Sequence, residues 1–362
     1  MTDLDDLTTL EQLDTQDVLG AVERFADQCK EAWDIGLAAT DLPQAEGVDS
    51  IVVLGMGGSG ISGDVVSSIL DARLTIPMRV VKSYGPLPEW VSRNTLVYAV
   101  SYSGNTEETI AALEEAHTRG ARAITISSGG RLEELAAEFG VAHVKIPAGL
   151  QPRASLGYLT MPIFATLMKM GVAPDMQEDV DGAIAVLADV ADKCHRKVPA
   201  DANPAKELAA RIHGRIPIVY GGYGVGATVA YRFKCDLNEY GKTPAFFNFL
   251  PELDHNEIVG WNVLSDMTKE HFLLILLRVP DDHPRVQLRF DVTRELVAGE
   301  NFVDTFELGP LDLGPEGTTS LAHALAMILV TQMAAIYVGL AYGVDPGPVA
   351  VIEQLKKELA DQ

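Results

Sequence analysis

Short apolar runs alternate with amphipathic stretches along most of the chain, and the alternation sets the expected architecture. Apolar side chains recur at helical spacing over residues 17–39 (Val18, Leu19, Val22, Phe25, Ala26), which predicts an opening helix. The pattern then changes period. Ser50–Leu54 reads as a strand and passes directly into Gly55-Met56-Gly57-Gly58-Ser59-Gly60 and a helical pattern over Ile61–Leu70. Further strands are predicted at Arg79–Lys82, Leu96–Val100, Ala123–Ser127 and Ala142–Ile146, with helices over Thr106–Thr118 and Leu132–Phe139. Pro147 and the stretch Gly149–Pro152 mark a transition to an apolar helix, Leu156–Met170, and a linker helix, Met176–Cys194. The second half repeats the plan. It reads as helix Pro204–His213, strand Ile216–Tyr220, glycine turn Gly221–Gly226, a helix, an aromatic buried strand Ala245–Leu250 and an apolar strand Phe272–Val279. Helix Pro284–Ala298, strand Phe302–Leu308, an apolar helix Leu321–Tyr342 and an amphipathic helix Val349–Ala360 complete it.

Strands alternating with helices predict an α/β fold with parallel sheets covered on both faces. The repeated order of strand, glycine turn and helix points to two doubly wound modules, αβα sandwiches, with an added N-terminal helix and C-terminal helix. The expected division is an N-terminal helical segment 1–45, a first module 46–175, a linker helix 176–202 and a second module 203–362. A chain of 362 residues with 47% hydrophobic content can bury two ordinary cores.

Charge narrows the partners. Lys plus Arg total 28 against 51 Asp plus Glu, a net −23, so the overall field repels nucleic acid and anionic membrane surfaces, and neither is expected as a partner. An anionic small ligand would need local donors instead. Leu321–Tyr342 has the length of a membrane span, yet it contains His323, Thr331 and Gln332 and no closely flanking Lys or Arg, so it reads as a buried central helix. Three scattered cysteines (Cys29, Cys194, Cys235) and an acidic stretch, Met1–Gln16, without a secretion pattern predict a cytoplasmic protein with no disulfide framework.

Two loops could hold an anion. The backbone N–H groups of Gly55–Gly60 open a helix, and Ser59 adds a hydroxyl. The Gly55-x-Gly57-x-x-Gly60 spacing fits a dinucleotide fingerprint, but Lys82 and Ser83 stand where the ribose-binding acid is expected. Ser101-Tyr102-Ser103-Gly104-Asn105-Thr106 follows the next strand and leads into a helix beginning Glu107-Glu108. By itself that stretch fits either a helix cap or a phosphate receptor. Two further residues bracket the aromatic strand: Glu239 in a helix's last turn ahead of Gly241 and Pro244, and His255 in the polar knot Glu252–Glu257. A solvated helix end and a turn cap are the plain readings of these two; base and acid are the functional ones.

Gly55–Gly60 together with Ser101–Thr106 resembles the sugar isomerase (SIS) domain, whose members bind phosphosugars with hydroxyl-rich loops. Asn238-Glu239-Tyr240-Gly241-Lys242, His255-Asn256-Glu257 and Arg153 after Gln151-Pro152 are similar, more narrowly, to the bifunctional phosphoglucose/phosphomannose isomerases. The resemblance runs from about residue 48 to Lys356 and makes both modules SIS domains. It implies a metal-independent, cofactor-free aldose–ketose isomerase acting on a hexose 6-phosphate, in a homodimer with shared active sites. It implies phosphate contacts from Gly58, Ser59, Ser101, Ser103 and Thr106, proton transfer between C1 and C2 by Glu239, and enediolate stabilisation by Arg153. Ring opening falls to His255 of a partner subunit and to Lys356.

These are the residue types that aldose–ketose isomerisation needs: one base, one cation beside the oxyanion, and an acid/base pair for the ring. Lys356, beside Lys357 on an amphipathic helix, also fits a solvated or dipole-compensating role. The sequence departs from the family where mannose-accepting members carry Thr and glucose-specific ones Gln: Pro346-Gly347-Pro348-Val349-Ala350 offers neither, and its small residues leave room for either epimer. Isomerisation of a pentose or heptose phosphate, or phosphosugar sensing without catalysis, are the competing expectations.

Overall fold

The computed structural model describes residues 1–261, 263–301, 304–309 and 318–360. In chain order it contains α1 (Leu7–Leu13), α2 (Val18–Glu23), α3 (Phe25–Ala38), β1 (Ser50–Leu54), α4 (Gly57–Leu70), β2 (Met78–Val81), β3 (Thr95–Val100), α5 (Glu107–Thr118), β4 (Arg122–Ser127), α6 (Arg131–Phe139) and β5 (Ala142–Lys145). There follow α7 (Leu156–Lys169), α8 (Gln177–Cys194), α9 (Pro204–Ile212), β6 (Ile216–Gly222), α10 (Val225–Glu239), β7 (Phe246–Leu250), α11 (Glu257–Gly260), α12 (Ser265–His271), β8 (Phe272–Leu277), α13 (Pro284–Asn301), β9 (Asp304–Leu308), α14 (Ser320–Ala341) and α15 (Ala350–Ala360). Short 3-10 turns lie at Pro152–Ala154 and Glu252–His255.

The chain divides into two compact units that interleave in sequence. One is formed by Arg24–Ala188 with Pro315–Leu325, the other by Met1–Glu23, Asp189–Gly314 and Ala326–Gln362. The first holds a parallel sheet of order β2-β1-β3-β4-β5. Every residue of β1 and β3 is buried, as expected of parallel strands covered on both faces, which is why these strands are nearly continuous apolar runs in sequence. One core layer joins Val52, Leu54, Val97 and Ala99 of the sheet to Ala112, Leu113, Leu132 and Leu135 of the helices. β2 and β3 lie on opposite sides of β1, so the connection reverses between β1 and β3, where open α/β sheets form a ligand crevice at their carboxyl ends.

The second unit holds a parallel sheet of order β7-β6-β8-β9. Its core includes Ile218, Tyr220, Leu250, Leu253, Leu274, Leu276 and Phe290. Its N-terminal segment is tied to residues late in the chain: Thr15 Oγ1 donates to Asp345 Oδ2 at 2.5 Å, and the Lys206 ammonium meets Asp5 at 2.9 Å. Leu321–Ala341 of α14 is buried along its length, which agrees with a central core helix.

Three expectations need correction, and two helices were not expected. The aromatic run at 245–250 does not fill a buried strand: β7 is the sheet's edge, and Phe246 and Phe247 remain 57% and 36% exposed. The opening helix is broken at Arg24, and its start is set by the Asp14 carboxylate, which accepts from the N–H groups of Val18 and Leu19, each at 2.8 Å. Gly221 and Gly222 end β6 rather than forming the turn. Helices α1 and α12, which bury only Leu10 and Thr268, are too polar to show an apolar period. The predicted strand start at Phe302 lies outside the described residues.

Candidate active site

In the Arg24–Ala188 unit the carboxyl ends of β1 and β3 place two loops side by side. The chain leaves β1 through Gly55-Met56 and enters α4 at Gly57, so Gly58 and Ser59 occupy the helix's first turn, where backbone N–H groups have no intrahelical acceptor. Ser59 is buried, and its Oγ accepts a 3.3 Å bond from the N–H of Tyr102. That bond joins the two loops directly.

Thr106 stands at the N-cap of α5 but makes no side-chain cap bond. Its hydroxyl instead lies 2.7 Å from the hydroxyl of buried Ser101. The Thr106 hydroxyl is therefore not spent on capping α5. Exposed Ser103 accepts from the Asn105 N–H at 3.3 Å, and Asn105 Oδ1 accepts from the N–H of Arg131. Glu107 is exposed, and its carboxylate accepts a long bond from the Tyr84 hydroxyl. Gly104 is required here: its φ is +71°, and a Cβ atom would come within 1.8 Å of the Gly129 carbonyl oxygen.

Arg153 is buried in the 3-10 turn Pro152–Ala154, which packs on the start of α4; a Cβ on Gly58 would approach the Pro152 carbonyl oxygen to 3.0 Å. The turn is held from α3, where Gln28 Nε2 donates to the Ala154 carbonyl at 3.1 Å. Tyr102 fastens the preceding loop, donating to the Pro147 carbonyl at 3.0 Å and accepting from the Leu150 N–H at 2.8 Å. Burial raises the Tyr102 pKa, which keeps the phenol a donor. Gly58, Ser59, Ser101 and Thr106 thus lie on two joined loops, with the turn that carries Arg153 packed beside Gly58. A neighbouring ion pair, Lys82 with Asp64, flanks α4; burial raises the Asp64 pKa and Lys82 opposes that shift.

The other three expected site residues belong to the second unit. Glu239 ends α10, half-buried, and this turn is packed rather than frayed: Tyr240 is fully buried, with its N–H on the Asp236 carbonyl at 2.7 Å and its hydroxyl accepting from Gln332 Nε2 at 3.2 Å. Beneath it Arg232 and Asp236 form a 2.7 Å ion pair with almost no solvent access. Lys242 closes the helix end, its ammonium donating to the carbonyls of Glu239 at 2.6 Å and Pro348 at 2.5 Å. The segment Gly241–Pro244 shares a cavity with Arg215 and Ile216 at the amino edge of the sheet.

His255 stands at the other edge. It lines a cavity of about 490 Å³ with Tyr223, which follows β6, and with Asp281, Asp282, His283 and Arg289, which follow β8. The glycine turn after β6 is no second phosphate cradle, because the Asp282 carboxylate sits against Gly222; a Cβ there would come within 2.2 Å of Asp282 Oδ1. Burial and the nearby Asp281 push the Asp282 pKa up to about 6. Lys356 lies on α15, whose described side chains are all exposed.

Comparison with known proteins gives the family of the chain. Residues 46–147 match the SIS domain, and residues 201–359 match the bacterial phospho-glucose isomerase C-terminal SIS domain. The chain is 35% identical over 345 residues to the bifunctional phosphoglucose/phosphomannose isomerase of Caldicellulosiruptor bescii, covering 94% of this chain and 98% of that one. It is 37% identical to the protein of the same name from Aquifex aeolicus, covering 95% and 98%. The chain belongs to the bifunctional phosphoglucose/phosphomannose isomerase family. The fold extends further: the crystal structure of tagatose-6-phosphate ketose/aldose isomerase from Escherichia coli superposes with a TM-score of 0.63 at 16% identity, covering 94% of this chain and 95% of that one.

Several contacts that hold the candidate residues in place were not visible in sequence. Tyr102 was hidden because a tyrosine between two serines carries no local signal of its long-range bonds to residues 147 and 150. Asp254 and Arg289, which bond at 2.6 Å, are separated by 35 positions and show no pattern that links them.

Proposed function

We propose that the protein interconverts fructose 6-phosphate with glucose 6-phosphate, mannose 6-phosphate or both, through an enediolate and without a metal or cofactor. The observation that carries this reading is the bonded pair of hydroxyls, Ser101 and Thr106, left uncommitted to capping at a helix start in a chain of this family. The phosphate is bound by Gly58, Ser59, Ser101, Ser103 and Thr106. It is remote from C1 and C2, so its binding energy orients the open chain without touching the reacting bonds.

Glu239 removes the C2 proton of the open-chain aldose; the electron pair forms the C1–C2 double bond and the carbonyl oxygen becomes the enediolate oxygen, which Arg153 stabilises. The same carboxyl returns the proton to C1 while the O2 proton moves to O1, leaving the ketose. His255 and Lys356 open the ring, with His255 supplied by the second chain of a homodimer. Supporting this, Glu239 and His255 of one chain lie toward opposite ends of β7. By the same reading the enzyme works in the cytoplasm, in glycolysis and gluconeogenesis.

Incubation with fructose 6-phosphate in deuterated water tests the proposal. The expected result is glucose 6-phosphate, mannose 6-phosphate or both, carrying deuterium at C2, and recovered ketose labelled at C1. Binding without label incorporation identifies a sensor and overturns the reading; label entering only a pentose or heptose phosphate moves the activity to that sugar.

A further inference from the structure

We propose that Asp254, gripped by Arg289 and Thr293, is a positioning residue for His255. The inference rests on the reading of His255 as a ring-opening residue, and deepens it. His255 ends the 3-10 turn Glu252–His255, which follows β7. Leu253, in the middle of the turn, is fully buried in the core and fixes where the turn sits. It does not fix how the turn is rotated.

Rotation is set by the next side chain. Asp254 Oδ2 accepts from Arg289 Nη1 at 2.6 Å, and Oδ1 accepts from Thr293 Oγ1 at 2.9 Å. The two donors are one helical turn apart on α13, so they present a single face, and the carboxylate plane is held at both oxygens. The Asp254 side chain is only 10% exposed. On the far side of His255 a second carboxylate is held in the same way: Glu257 Oε1 accepts from the buried Tyr220 hydroxyl and Oε2 from Asn248 Nδ2, both at 2.5 Å. Trp261 Nε1 donates in turn to the Tyr220 hydroxyl at 3.1 Å. Only His255 and Asn256 lie between the two clamped acids; both are exposed, and of the two it is His255 that lines the 490 Å³ cavity.

Stability alone does not explain this arrangement. An apolar side chain would anchor the turn without the desolvation that a nearly buried carboxylate incurs. What the carboxylate adds is direction, and misplacing a catalytic group by about 1 Å can cost as much as about 10²-fold in rate.

The test measures kcat and KM on one hexose 6-phosphate for wild type, Asp254→Asn, Arg289→Met, Arg289→Lys, His255→Ala and the Asp254→Asn/His255→Ala double variant, with thermal unfolding followed for each. Asp254→Asn and Arg289→Met are expected to lower kcat by about 10- to 10²-fold with little change in KM, and Arg289→Lys to recover part of the loss. The double variant should be no slower than His255→Ala, because Asp254 acts through that imidazole. Losses that multiply in the double variant, or wild-type kcat in both Asp254→Asn and Arg289→Met while His255→Ala is impaired, overturn the positioning role and leave the assignment of His255 intact. Wild-type kcat in His255→Ala removes that assignment and the positioning role with it. Arg289 is 36% exposed, so its variants keep the question answerable if Asp254→Asn fails to fold.

Discussion

Glu239 and His255 stand at opposite ends of the same edge strand, one before β7 and one after it. β7 has five residues, roughly 16 Å of extended chain, and separates the two groups along the strand direction, which favours the proposed site that draws them from different protomers. Glu239→Gln chains and His255→Ala chains, each lowered by roughly 10²-fold or more alone, should therefore recover about a quarter of wild-type activity when mixed under subunit exchange. No recovery, with exchange verified by labelled chains, would exclude the shared arrangement.

The joined hydroxyls of Ser101 and Thr106 predict a binding defect. Ser101→Ala with Thr106→Val removes both from the loop, and KM for the hexose phosphate should rise by at least about tenfold, since hydrogen bonds to a charged group are each worth about 1.5–3 kcal/mol. Titration with inorganic phosphate should show the same loss. Equal affinity in variant and wild type would place the phosphate elsewhere.

Gly104→Ala should damage the same loop by geometry. The left-handed backbone and the Gly129 carbonyl in the path of any Cβ leave no room for adjustment. Stability should fall by more than about 1 kcal/mol, measured by urea denaturation, and phosphate affinity should fall with it.

The buried pair Arg232–Asp236 predicts an asymmetric response to substitution. Arg232→Met alone takes the cation away from a buried carboxylate and should cost about 3–5 kcal/mol, whereas Arg232→Met with Asp236→Leu should lie nearer wild type. Denaturation of the single and double variants distinguishes this from a pair that stabilises outright, for which the double variant would be the weaker.

Asp282 predicts a pH dependence. Its folded pKa of about 6 stands above its ordinary value of 3.8, so the native chain retains a proton that the unfolded chain releases within that window. Stability falls as pH rises through the window, and the penalty is complete above it. Asp282→Asn should therefore be more stable than wild type near neutral pH, and the difference should vanish in acid below both values. Denaturation curves at the two ends of the range decide the matter.

Much of the fold was legible because β1, β3, β6 and β8 are buried on both faces and announce themselves as apolar runs. The phosphate loops were legible for a related reason, since hydroxyl and glycine residues were concentrated at predicted strand ends. The exposure of β7 was not, because Phe246 and Phe247 would read alike in a core and on an open edge. Capping and ligand binding also call for the same residue types, and only the bond from Thr106 to Ser101 separated them. The clamp on Asp254 joins residues whose pairing depends entirely on how α13 packs.

The bond from Thr15 to Asp345 has a meaning for synthesis. Its partners are 330 residues apart, and at about 5–20 residues per second the first emerges from the ribosome tens of seconds before the second. Until then the N-terminal helices, whose Leu10, Val18, Leu19 and Val22 are buried in the finished protein, lack this tie. Nascent chains of this protein should therefore lean on holdase chaperones near their N-termini, and slowing translation late in the message should lower the soluble yield more than slowing it early.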